Sequence, residues 1–362
     1  MDAGPSKKRT RTNSVPEDIS APPTTGLDKV KAATRDKDYW FEDGNLILVS
    51  QGVAFKIYKG LLAEHSTIFR SMFHIAQGKP ETDDLVDGCP VVTLYDSPND
   101  LRELFQLIYP LSTNVKFGTG QKINISFISA IIRLDHKYEL KGVYDQAMSY
   151  LTTYYITNFG AWVDGRNAAQ WQPDPIHAIG AINLARLTNT PSVLPFAFYI
   201  CATLGPDLAR GFVRPDGSVE RLTPDDMRIC LEVKARLATE NTHTAFLLFR
   251  LAPQHCSHAT GSTYCADVWR KILEHAGLSK APHPVASERA LDSWLGNADC
   301  LPAPAPLGPG VSFSAYMASY SPQRTLCKGC RGHLEVRDRE LRRQIWRRLP
   351  EFVGLTIENW DT

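Results

Sequence analysis

The sequence is 362 residues long and 43% apolar, with 40 Lys and Arg against 39 Asp and Glu for a formal net charge of +1. That length accommodates two domains of ordinary size, and the balanced charge supplies no global field to draw the chain to nucleic acid or an anionic membrane. No run reaches the roughly 18 apolar residues of a membrane span, the basic amino terminus has no apolar stretch behind it, and eight cysteines without a secretory signal read as reduced thiols or metal ligands in a nuclear or cytosolic compartment.

Residues 1–36 carry Pro, Ser, Thr, Lys and Asp with almost no large apolar side chain, so a disordered tail is expected there. Within it Lys7, Lys8, Arg9 and Arg11 form a basic cluster that reads either as a nuclear import signal or as a solvated charge run. Leu46-Ile47-Leu48-Val49 suits a strand buried on both sides, Ser50-Gln51-Gly52 supplies a turn, and Val53, Phe55 and Ile57 alternate with Ala54, Lys56 and Tyr58, which predicts a β-hairpin. Leu61 and Leu62 open a helical turn. Ser66 caps a second helix that turns Ile68, Phe69, Met72 and Phe73 to one side.

Pro90 to Leu94 reads as a third strand, and Pro98 opens a helix with Leu101, Leu104, Phe105 and Ile108 at helical spacing. Further helices are predicted over about Ile125–Glu139 and around Val143, Ala147, Met148 and Leu151. Beyond them, Ala181–Leu187 is helical, prolines force a break, and a second helix begins at about Leu194. Thr223-Pro224-Asp225-Asp226 combines an N-cap, a first-turn proline and an acid three places on, which opens another helix. A Pro-rich linker, Leu301 to Pro309, precedes a final helix of about Leu334 to Leu349.

No phosphate-binding Gly-rich loop, nucleophile elbow or helical pair of zinc histidines occurs, so a non-enzymatic protein is expected. Cys327-Lys328-Gly329-Cys330 has the spacing that lets two thiolates reach one ion, and Cys256 and Cys265 offer a second pair. Four thiolates would close a structural zinc site, with His255, His258 and His333 as rival ligands; the other reading is a set of free thiols. In the last helix Arg331, Arg337, Arg339, Arg342, Arg343, Arg347 and Arg348 stand opposite an apolar stripe of Leu334, Leu341, Ile345 and Leu349. The arginines are therefore read as a solvated face, with Trp346 as a core anchor and no direct nucleic-acid contact.

The segments Asp43–Val49, Phe55–Leu62 and Ser66–Phe73, followed by Ile132–Leu140, resemble the BTB/POZ domain, in order, over about Tyr39 to Tyr155. Ala181–Leu187 and Pro191–Tyr199 are similar to the segment that follows this domain in a large group of fungal BTB-domain proteins, which carry similar late cysteines. The resemblance implies an α+β fold, a small sheet capped by helices, then a mostly α-helical region. The organisation expected is a tail (1–36), a BTB/POZ-like domain (37–158), a helical domain (159–300), a linker with the Cys pair (301–333) and a C-terminal helix and tail (334–362).

It also implies protein association, as a homodimer or with another BTB protein, through a surface that would include Asn45, Lys59, Leu61, Leu62 and Phe69. Two alternatives follow from the family: substrate adaptor of a cullin-type ubiquitin ligase, and nuclear transcription-associated regulator. The sequence departs from the family at both. Asn45 and Lys59 replace the Asp and Arg that line the charged pocket of BTB regulators, and His74-Ile75-Ala76-Gln77-Gly78-Lys79 lacks the acid of the cullin-contact motif, with Glu81-Thr82-Asp83-Asp84 shortly after it.

Overall fold

The computed structural model describes residues 25–76, 85–109, 125–140, 142–165, 173–249, 256, 264–277, 283–299 and 325–362. The basic cluster Lys7, Lys8, Arg9 and Arg11, the acidic run 81–84, His255, His258 and the Pro-rich linker lie outside them. The chain divides into two compact units, one of residues 1–62 and 70–98, the other of residues 63–69 and 99–362.

The first unit holds a five-stranded sheet in the order β1-β3-β2-β5-β4, built from β1 (Thr34–Trp40), β2 (Leu46–Ser50), β3 (Val53–Ile57), β4 (Leu85–Val86) and β5 (Cys89–Leu94). β2 is central, antiparallel to β3 and parallel to β5. All five of its residues are buried, as the unbroken Leu-Ile-Leu-Val run requires. The β2–β3 hairpin closes through Gln51 and Gly52, both at positive φ (42° and 80°), and β4–β5 closes in the same way through Asp87 and Gly88 (50° and 74°). Two residues at positive φ match the right-handed twist of the flanking strands. One face of the sheet, with Ile47, Val49 and Ala54, packs with Val86, Cys89 and Val30 of α1 (Gly26–Ala32).

That helix corrects the expected tail. Residues 25–40 are structured: Thr25 Oγ1 accepts from the Asp28 N–H at 3.2 Å to cap α1, and β1 then runs parallel to β3. The scarcity of large apolar side chains that suggests a tail there is that of an edge strand, whose charged residues keep other chains from pairing with it. Only Asp36 and Tyr39 of β1 are buried, and Asp36 Oδ1 accepts from the Asp38 and Tyr39 amides at 3.0 Å each.

α2 (Lys59–His65) and α3 (Thr67–Ala76) follow, and Ser66 caps α3 by accepting the Phe69 N–H at 3.0 Å. In the second unit come α4 (Pro98–Ile108), α5 (Ile125–Tyr138), α6 (Tyr144–Tyr154), α7 (Phe159–Gly165), α8 (Ala178–Leu187) and α9 (Leu194–Ala202). The break between α8 and α9 is a 3₁₀ turn at Pro191–Val193. α9 is buried at every residue and packs against α8, α11 (Pro224–Phe249) and α14 (Lys328–Phe352). Between α9 and α11 lie α10 (Asp207–Arg210) and the short hairpin of β6 (Phe212–Val213) and β7 (Val219–Glu220). Before α14 come α12 (Tyr264–Ala276) and α13 (Leu295–Asp299).

The Thr223 cap forms as its spacing requires: Asp226 N–H donates to Thr223 Oγ1 and the hydroxyl donates back to Asp226 Oδ2, both at 3.1 Å. α14 begins at Lys328, earlier than expected, because Cys327 serves as its cap; the cysteine pair thus belongs to a helix start and not to a linker. Trp346 is fully buried and stacks on Trp162 and Trp360 at 5.2 and 5.4 Å. The carboxyl-terminal tail is fastened by buried Asp361, which accepts from Arg343 and Arg347 at 2.8 Å each and from the Phe159 N–H at 3.1 Å.

Candidate functional site

At the start of β2, Asn45 is exposed, and its Oδ1 accepts the Lys59 backbone N–H at 2.9 Å. A neutral amide is sufficient for this, since the bond satisfies one orphan donor at the start of α2. Beside it Tyr58 donates to Asp43 Oδ1 at 2.5 Å, a bond that raises the phenol pKa, and Phe41 stacks on Tyr58 at 5.0 Å. The expected association surface needs correction at two positions. Leu62 and Phe69 are both 0% exposed, and Phe69 stacks on Tyr138 at 4.2 Å; their helical spacing places them on the inward faces of α2 and α3. Leu61 stands 43% exposed, and Ile68, which the sequence reading grouped with the inward residues, 37%.

The four cysteines named as candidate zinc ligands come together. One sulfur from each of Cys256, Cys265, Cys327 and Cys330 lies within 4.8 Å of all the others, and Cys256 Sγ stands 3.9 Å from Cys327 Sγ. Cys265 lies in the first turn of α12 and Cys327 caps α14, so the amino-terminal ends of two helices meet at the cluster. The Cys330 N–H donates to Cys327 Sγ at 3.4 Å, fixing the two-residue loop. Cys265 and Cys330 are buried among Val268, Trp269, Leu334 and Leu341, while Cys256 and Cys327 sit at the margin of that core. Burial pushes the Cys265 and Cys330 thiols up, so ionising all four calls for a cation among them. The rival His333 is exposed and stands outside the cluster. Cys89, Cys201 and Cys230 are buried elsewhere, and burial pushes the Cys230 thiol to about 12.

The arginines of α14 are mostly engaged with carboxylates. Arg331 pairs with Glu335 at 3.4 Å, Arg339 with Asp164 at 2.9 Å, and Arg348 with Glu240 at 2.7 Å; Arg343 and Arg347 share Asp361. Arg342 departs from the expected solvated face. It is buried, pairs with fully buried Asp338 at 2.9 Å and donates to the Leu291 carbonyl at 3.3 Å. Asp338 also accepts from Ser293 Oγ and the Trp294 N–H, so this pair anchors the 291–294 segment.

A second buried polar cluster escaped sequence reading. Asn241 of α11 donates through Nδ2 to the Pro284 and Val285 carbonyls at 3.0 Å each, which leaves its Oδ1 to accept from His283 Nε2 at 3.0 Å. Asn297 clasps the His283 backbone at both N–H and C=O. Burial lowers the His283 pKa to about 4, so the ring is neutral with its proton on Nε2. Its partners are far away in sequence, which left no local signal.

The family model of the BTB/POZ domain matches residues 42–155. No curated protein matches the chain. BTB/POZ domains are interaction modules, generally non-enzymatic, that commonly dimerise and bind other proteins. Family match, sheet order and flanking helices agree, and residues 42–155 are a BTB/POZ domain.

Proposed function

We propose that this chain is a non-enzymatic interaction protein that associates with a second copy or another BTB protein through its BTB/POZ domain, and that a zinc ion held by four thiolates braces its helical unit. The observation that carries the first part is the BTB/POZ domain itself. Exposed Leu61 on α2 is the apolar contact in the expected association surface. Sedimentation or light scattering of the full chain tests self-association: a dimer that Leu61→Asp turns into a folded monomer supports it, and a wild-type monomer unchanged up to high micromolar concentration overturns association with a second copy.

The metal reading rests on the sulfur geometry. Zn–S bonds of about 2.3 Å in a tetrahedron place sulfurs about 3.8 Å apart, close to the Cys256–Cys327 separation of 3.9 Å. Four thiolates leave no open coordination position, so the ion would be structural. Metal analysis of protein never exposed to chelator decides it: near one zinc per chain is expected, and less than about a tenth of an equivalent sinks it.

A narrower role, adaptor for a cullin-type ubiquitin ligase, is favoured by a BTB/POZ domain followed by a helical unit, and the cullin would be its partner. Affinity purification from the native cells with and without residues 43–155 tests it: a cullin enriched only by the intact chain supports the adaptor, and its absence leaves self-association as the role.

A further inference from the structure

The four thiols are not equivalent. Cys265 and Cys330 lie within helices α12 and α14, are 3% and 0% exposed, and pack into the apolar core between those helices. Cys256 stands between α11 and α12 outside any helix, and Cys327 is a cap residue with extended backbone (φ −61°, ψ 161°). Both are partly exposed. Their sulfurs at 3.9 Å need to approach by about 1.9 Å to reach the length of a disulfide, and both residues sit at non-helical positions.

From this division we infer that Cys256 and Cys327 form an oxidative modification site: a peroxide converts this partly exposed pair to a disulfide and thereby releases the metal. The inference rests on the zinc reading above. One of the two partly exposed thiolates attacks a peroxide oxygen, the O–O bond breaks, hydroxide leaves, and a sulfenic acid forms on that sulfur. The other thiolate then attacks the sulfenic sulfur, forming the S–S bond and expelling a second hydroxide. Two sulfurs lose one electron each, the peroxide is reduced by two electrons, and two protons from solvent turn the hydroxides into water.

Only Cys265 and Cys330 then remain as thiolates, and two buried ligands hold zinc far less well than four. The helix-embedded pair is shielded from the oxidant by the same core that fixes it. A dithiol reductant reverses the disulfide by thiol exchange and restores the four-ligand set. The position of the partly exposed pair between two structured helices makes oxidation a way to loosen the brace without touching the strands of the BTB/POZ domain.

The test uses the full chain, with metal content measured before oxidant is added. Hydrogen peroxide is titrated while a chromophoric chelator reports released zinc, and peptide mapping without reduction locates the disulfide. One zinc released with two thiols lost per chain, a Cys256–Cys327 link, and recovery of bound zinc after dithiothreitol are expected. Protein that holds no zinc at the outset and takes up none overturns the metal reading and, with it, the release step. Protein that holds zinc but keeps it through a tenfold excess of peroxide, or that releases it with a Cys327–Cys330 or other link, overturns the oxidative inference and leaves the zinc site standing.

Discussion

His283 shows what one residue contributes at the centre of a unit. Its ring is kept neutral by burial, with a folded pKa of about 4 against an ordinary 6.5. Below pH 6.5 the unfolded chain takes up a proton that the native ring refuses, so stability present above that pH is lost as pH falls toward 4. The loss approaches about 3 kcal/mol, at 1.36 kcal/mol per pKa unit. Urea midpoints at pH 7 and 4.5 should therefore differ more in the wild type than in His283→Gln, which retains a donor but does not titrate; equal slopes would remove His283 from the acid response. Leu62 and its neighbour Leu61 make a second residue-scale contrast. Leu62→Asp buries an unpaired charge and is expected to unfold the domain, whereas Leu61→Asp leaves it folded and lowers the melting temperature only by what the lost association contributes. Thermal melts of both variants separate core from surface on adjacent positions.

At the scale of elements, the β6–β7 hairpin depends on one glycine. Gly211 has φ +72° and ψ −165°, and a Cβ there would lie 2.2 Å from the Glu220 carbonyl oxygen. Gly217, in the turn of the same hairpin, also has positive φ (81°), yet a Cβ there meets nothing within 4 Å. Gly211→Ala is expected to cost about 3 kcal/mol or more and Gly217→Ala about 1 kcal/mol, measured by denaturant titration; comparable losses would mean that backbone conformation alone, not the clash, decides. Elements of this kind show what sequence can disclose. The β2–β3 hairpin, the Ser66 and Thr223 caps and the proline break before α9 were legible because turn residues and apolar period agreed locally. α1 and β1 were not, since an edge strand written as Thr-Arg-Asp-Lys-Asp carries its sheet membership in the partner strand β3. β4 has its signal in Asp87-Gly88, which lies within an otherwise polar stretch. The four-thiol cluster was half legible: the two-residue spacing announced Cys327 and Cys330, but only the fold brings Cys256 and Cys265 to them.

At the scale of the molecule, the last parts of the helical unit are held together at two places along α14. α12 and α14 are far apart in the chain, and they share a core of Val268, Trp269, Ile272, Leu334 and Leu341 with the sulfurs at one end. The proposed zinc would clip Cys265 to Cys327 and close a loop of roughly sixty residues, which on the chain-entropy account would remove about 4 kcal/mol of freedom from the unfolded state. The opposite end of α14 has its own fastening, Asp361 held by Arg343 and Arg347, which involves no thiol. Metal removal should therefore act unevenly. Hydrogen exchange with and without a zinc chelator is expected to quicken at α12 and the first turns of α14, with little change at the Phe352 end or in β2, β3 and β5. Exchange that rises everywhere would make the sulfur cluster a determinant of the whole fold, and exchange that rises nowhere in a zinc-loaded chain would show that the apolar core suffices without the clip.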